Sequence, residues 1–142
     1  MDTISLEEFK NKHAEEYQTF LKENPEIGRL KIEVFTAYKA IPLENTEIII
    51  TKNIGNKTII FFRGFTNSSG IIENITLPAP SFVSSETPFV EPKYTIYDLV
   101  AIHKEYKTVK EEKIGMFGNV NIIQYIKMTP EVKLEGVDTL GN

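Results

Sequence analysis

Between Gly28 and Met128 short apolar runs, many of them alternating, are separated by Gly, Asn, Ser and Pro. Leu30, Ile32 and Val34 alternate with Arg29, Lys31 and Glu33. A period of two gives a pleated strand one apolar and one charged face. Repeated at short spacing with turn residues between, the pattern predicts a β-sandwich. Nothing like a catalytic constellation is laid over it.

About seven strands are expected. The first is Arg29–Thr36, after which Ile41-Pro42-Leu43-Glu44-Asn45 turns the chain into Glu47–Lys52. Asn53-Ile54-Gly55-Asn56 reads as the turn of a hairpin with Lys57–Phe65. Thr66-Asn67-Ser68-Ser69-Gly70 is a second turn, into Ile71–Leu77. The stretch from Pro78 to Pro92 holds four of the seven prolines, which cannot join a ladder smoothly, so it reads as a long crossing between sheets. Lys93–Tyr106, Thr108–Lys113 and Asn119–Met128 supply the remaining strands, and Glu131 to Asn142 reads as a polar tail.

Ahead of the strands lies one amphipathic helix. Ser5 and Glu8 have the spacing of a capping box, and Ile4 and Phe9 that of a hydrophobic staple. Leu6, Phe9, His13, Ala14, Tyr17, Phe20 and Leu21 form an apolar stripe, and Asn24-Pro25 ends it. Ile48-Ile49-Ile50 and Ile59-Ile60-Phe61-Phe62 are apolar on both strand faces. A free-standing sandwich normally turns one face of each strand to water, so the second face needs a cover. The helix is the economical candidate, and a homo-oligomeric or partner contact is the other. The expected organisation is 1–27 helix and linker on the sandwich, 28–130 sandwich, and 131–142 tail.

A chain of 142 residues has room for one core. Its net charge of -4, with Lys and Arg spread along it, argues against a nucleic-acid partner. With no Cys, disulfides, thiolate metal sites and a Cys nucleophile are excluded. The acidic, amphipathic start is unlike a secretory signal and no apolar run is long enough for membrane insertion, so the default location is the cytoplasm. In that setting the sequons at Asn56, Asn67 and Asn74 read as accidental.

The stretch Gly28-Arg29-Leu30-Lys31-Ile32-Glu33-Val34, followed by Ala40-Ile41-Pro42-Leu43-Glu44-Asn45-Thr46-Glu47-Ile48, resembles the carboxypeptidase regulatory-like domain, also described as prealbumin-like or collagen-binding B-type. Thr46 stands where that family usually has Ala in P-x-x-x-A-x-V, and Thr66-Asn67-Ser68-Ser69-Gly70 matches its Thr-x-x-x-Gly turn. Leu77-Pro78-Ala79-Pro80 and Tyr94-Thr95-Ile96-Tyr97-Asp98-Leu99 are similar to a subgroup in spore-forming Firmicutes, found beside spore cortex-lytic and peptidoglycan-binding modules. The resemblance runs from Gly28 to Pro130. It implies a mainly β, transthyretin-like Greek-key sandwich acting as a non-catalytic accessory module, with no particular ligand and with spore association as a second location.

Candidate chemistry is sparse. His13 and His103 lack the spacing partners of a zinc site; the first reads as a packed helix residue, the second as a strand-end side chain. Ser68, Ser69, Ser81, Ser84 and Ser85 fall in turn-forming composition without a nucleophile elbow. The fold also hosts hydroxyisourate hydrolase, but this chain has neither that enzyme's histidine near the first strand nor its Tyr-Arg-Gly-Ser sequence. The internal isopeptide bond of some collagen-binding B-type domains would need Lys31 with Asn119 or Asn121 and Glu73, yet the alternation points Lys31 to solvent. Phe82, Phe89, Tyr94 and Tyr97 cluster in or beside the proline-rich stretch. They serve either as stacking surfaces for a sugar or peptide, or as anchors pinning the loop to the core. The expected function is a non-enzymatic structural or protein-interaction module, without cofactor or metal, set among cell-wall or spore components. Its partner is protein, self or other. The alternative is a carbohydrate- or small-ligand-binding sandwich using the aromatic loop, with cell-wall glycan as its ligand.

Overall fold

The computed structural model describes residues 2–36, 41–81 and 93–131. In chain order the elements are β1 (Asp2–Ser5), α1 (Leu6–Lys12), α2 (Ala14–Glu23), β2 (Glu26–Thr36), β3 (Glu47–Ile54), β4 (Lys57–Phe65), β5 (Ile71–Ala79), β6 (Thr95–Ile102), β7 (Val109–Met116) and β8 (Asn121–Met128). They form two sheets, ordered β1-β4-β3-β6-β7 and β5-β2-β8. This is the expected mainly β sandwich. The connections β2 to β3, β4 to β5, β5 to β6 and β7 to β8 each pass from one sheet to the other. The proline-rich stretch therefore joins strands of different sheets, as its composition predicted.

The core is where the alternating pattern put it. Leu30, Ile32 and Val34 of β2 face Ile48 and Ile50 of β3 and Tyr97, Leu99 and Ala101 of β6, all nearly or fully buried. Leu77 and Ala79 of β5, Ile114 and Met116 of β7, and Ile126 and Met128 of β8 complete it. The other side chains of β2 alternate outward, and Lys31 lies between Glu33 and Glu73 at 4.0 and 3.8 Å.

Four expectations about the bounds and number of elements are corrected. The single helix is two, broken at His13 (φ -131°, ψ 49°), whose N–H closes α1 on the Phe9 carbonyl and whose carbonyl starts α2 with the Tyr17 N–H. The bend lets Phe9 and Phe20 both reach buried positions. Ile4 belongs to an eighth strand: β1 pairs in parallel with β4, Ile4 opposite Ile59, while Ser5 caps α1 by accepting the Glu8 N–H at 3.1 Å. β5 runs on through Pro78 to Ala79, because an edge strand has one side on which a proline needs no ladder donor. Finally, the strand expected over Lys93–Tyr106 is confined to β6. Glu105 adopts a positive φ of 72°, and the Tyr106 N–H bonds back to the His103 carbonyl, so the chain turns there.

The helices do not cover the outer face of the five-stranded sheet. Phe20 joins the same core as the two sheets, its ring 5.5 Å from that of Phe61, which lies 5.3 Å edge-on to Tyr97. They fill the inner surface that the three-stranded sheet is too narrow to reach, and Glu16 pairs with Lys57 of β4 at 3.1 Å.

Candidate functional site

The uncovered face is built by strand register, since residues opposite one another in a ladder share a face. Ile49 lies opposite both Arg63 and Val100; Glu47 opposite Phe65 and Ile102; Thr51 opposite Ile60 and Asp98; and Ile96 opposite Gly115. All of these point away from the core. Phe65 is 61% exposed, Ile96 43% and Ile102 39%. Tyr94, two residues before Ile96, continues the stripe at 54% exposure. Its ring lies over Gly115, where an added Cβ would sit 3.2 Å from the Tyr94 ring, and against Phe117 at 5.6 Å between centroids. Two ion pairs lie within this surface. Arg63 Nε donates to Glu47 Oε2 at 2.6 Å, and Lys113 Nζ bonds Asp98 Oδ1, a contact that raises Lys113 above its ordinary value.

A cleft of about 630 Å³ opens beside Tyr94, lined by Lys22, Asn24, Pro25, Pro80, Lys93 and Tyr94 among others. Its wall is set by the end of α2. Asn24 Nδ2 donates to the Phe20 carbonyl at 2.9 Å while Asn24 Oδ1 accepts from the Thr95 hydroxyl, fixing the helix end to the start of β6. On the other side the Gly118 N–H holds the Pro80 carbonyl at 3.0 Å.

The sequence-selected aromatics fall in different places. Tyr94 is half exposed, at the junction of cleft and open face. Tyr97 is fully buried, and its hydroxyl donates to the Pro78 carbonyl at 2.5 Å, which is the anchoring arrangement. Burial, with a smaller contribution from Tyr17, pushes that hydroxyl well above the ordinary tyrosine range. Phe82 and Phe89 lie outside the described residues.

Neither histidine joins a chemical set. His13 Nδ1 is 3.4 Å from Glu16, and both ring nitrogens of His103 lie on backbone carbonyls, Lys104 at 2.6 Å and Glu44 at 2.9 Å. Among the described residues no three His, Asp or Glu side chains gather as a metal site would need. Lys31 and Asn121 project from adjacent strands on the outer side of the three-stranded sheet, Lys31 with a third of its side chain in solvent.

Tyr94, Ile96, Val100 and Ile102 escaped the sequence reading as one surface. The signal was present: they hold the alternate positions to Thr95, Tyr97, Leu99 and Ala101, so with the exception of Asp98 both faces of β6 carry apolar side chains.

No sequence family matches the chain, and no curated protein matches it. Solved structures do. The Bacillus anthracis TIE protein matches over 74% of this chain at 19% identity, with a TM-score of 0.51. The group B streptococcus pilus 2b backbone protein matches over 76% at 13% identity, with a TM-score of 0.50. The 3-chlorocatechol 1,2-dioxygenase of Rhodococcus opacus 1CP matches over 75% at 7% identity, also at 0.50. The matches span 17%, 43% and 60% of those proteins respectively. At these identities the likeness speaks for the fold alone, which serves both a pilus protein and an enzyme.

Proposed function

We propose that this chain is a non-catalytic structural or protein-interaction module, and that it meets its partner through the outer face of the five-stranded sheet. One observation carries the reading: Phe65, Ile96, Ile102 and Tyr94 stand in solvent on a sheet whose other face already encloses a complete core. Large apolar side chains exposed together on one sheet face cost free energy in water and are a mark of contact surfaces. We propose residues 28–130 as the unit that carries the fold, with 1–27 as its inner cover and 131–142 as a tail. Cell-wall or spore assemblies are the setting we propose with it; a pilus backbone protein is one example of this fold in a structural assembly.

Footprinting with a photoreactive carbene, in buffer and in extract of the native cells, tests this. Ile49, Val100 and Ile102 are expected to be labelled in buffer and protected in extract, while Ile123 on the other sheet stays labelled in both. Equal labelling of all four in both conditions rejects the reading.

A second reading rests on the cleft. Its volume of about 630 Å³ suits a small ligand, and the half-exposed ring of Tyr94 at its rim is suited to stacking on a sugar. Titration calorimetry with peptidoglycan fragments tests it. Binding that Tyr94→Ala abolishes at unchanged melting temperature supports it, and absence of heat at millimolar fragment removes it.

A further inference from the structure

We infer that the occupant of the open face is a second copy of this chain, giving a reversible dimer in which two five-stranded sheets stack face to face. The inference rests on the protein-interaction reading and names its partner. Charge is the first argument. The chain carries a net charge of -4, yet on this face Glu47 is matched by Arg63 and Asp98 by Lys113. Glu111 on the edge strand β7 also acts on Lys113, so the face holds no large excess of either sign for a strongly acidic or basic partner, whereas two copies meet with little of the repulsion their net charge produces elsewhere.

Shape is the second argument. Stacked sheets align according to their twist, and two identical sheets have the same twist by construction. The stripe Tyr94, Ile96, Val100, Ile102 runs along β6 beside Ile49 on β3; it is interrupted by Asp98, whose charge is met by Lys113 on β7, and bordered by Glu47, met by Arg63 on β4.

Area is the third and sets the strength. Four strands about 4.8 Å apart and eight residues long present a face of about 19 by 27 Å, or about 500 Å² per copy. Two such faces total about 1,000 Å², the lower limit for a specific interface, so the expected dimer exchanges with monomer rather than being obligate. The opposite sheet also exposes Ile27, Ile123 and Tyr125, set among Arg29, Lys31, Glu33 and Glu73, so a variant on that sheet is the control for which face pairs.

Sedimentation equilibrium on the full chain, from about 1 µM to about 1 mM, tests this. The wild-type mass is expected to rise from one to two chains across that range. Val100→Glu places like charges against each other at the centre of the face and should weaken association at least about tenfold. Ile102→Glu, at a position 39% exposed, should do the same at unchanged melting temperature, which separates loss of contact from loss of fold. Thr76→Glu, exposed on the other sheet, should leave the dimer unchanged. A wild-type chain monomeric at every concentration overturns the inference, as does a dimer indifferent to both β6 variants or one broken by Thr76→Glu. A monomer whose Ile49 and Val100 are still protected in extract overturns the second copy alone; absence of protection as well removes the protein-interaction reading with it.

Discussion

Gly70 sits where three segments meet. Its φ is +72°, its carbonyl accepts the Val34 N–H at 2.8 Å, and a Cβ there would lie 2.4 Å from the Val34 carbonyl oxygen. Neither the backbone conformation nor the space admits a side chain. Gly70→Ala is expected to cost about 1–3 kcal/mol for the conformation, with the steric overlap added, read as a lower urea midpoint at unchanged slope. Thr66 next to this corner is buried and acts in both directions: its hydroxyl donates to the Leu43 carbonyl at 2.6 Å and accepts the Thr46 N–H at 2.9 Å. Thr66→Val keeps the shape and removes both bonds, for an expected loss of about 1–3 kcal/mol by the same measurement. In the sequence Thr46 belongs to one motif, and Thr66 and Gly70 are the two ends of another, the Thr-x-x-x-Gly turn. Thr46 and Thr66 bond directly, and Gly70 packs against Pro42 and Leu43, part of the same turn. Tyr97 adds a pH dependence. Its hydroxyl ionises near the ordinary value of 10.0 when unfolded and above it when folded, so its contribution is complete below about pH 10 and is lost as pH rises beyond. In Tyr97→Phe that alkaline loss should shrink by up to about 1.4 kcal/mol per pH unit, measured by urea titration at successive alkaline pH values.

At the scale of elements, the helices belong to the core rather than being attached to it. Phe20 is 7% exposed and packs against the tilted ring of Phe61, so Phe20→Ala should destabilise the whole protein by about 3–5 kcal/mol, the usual cost of emptying a buried aromatic site. A helix that merely rested on the surface would lose helical signal first and leave the sandwich melting where it did. The amphipathic stripe was legible in sequence because its period is local. The break at His13 was not, since no Gly or Pro marks it and the bend follows from the distance between the two sites that Phe9 and Phe20 fill. β1 was hidden for a related reason. Four residues have too short a pattern to read as a strand, and their pairing depends on the free edge of β4, more than fifty residues away.

For the whole molecule the expectation is one cooperative unit. β7 and β8 lie in different sheets, yet the Lys107 N–H bonds the Thr129 carbonyl at 2.8 Å and Gln124 Nε2 bonds Glu112 Oε1 at 3.2 Å, so the sheets are tied along one side. Helical and sheet signals in far-ultraviolet circular dichroism should therefore follow a single thermal transition, and two separated transitions would show that the helices fold apart from the sheets. The open face was half visible in sequence. The apolar runs at Ile48–Ile50 and Ile59–Phe62 announced surface needing a cover, and the helix was the economical choice. The structure spends the helix inside, where Ile59 and Phe61 lie, and leaves Ile49, Ile60 and Val100 outside.

The order of residues alone settled which side chains of each strand share a face, where α1 is capped, and that the chain makes a sandwich, because these follow from periods of two and 3.6 and from turn chemistry within a few neighbours. It could not settle which of two apolar faces is enclosed. A strand such as β6, apolar on both sides with the exception of Asp98, is satisfied by burying either one. The choice is made by long-range packing: the narrower second sheet and the two helices together fill one side of the five-stranded sheet and leave the other to water.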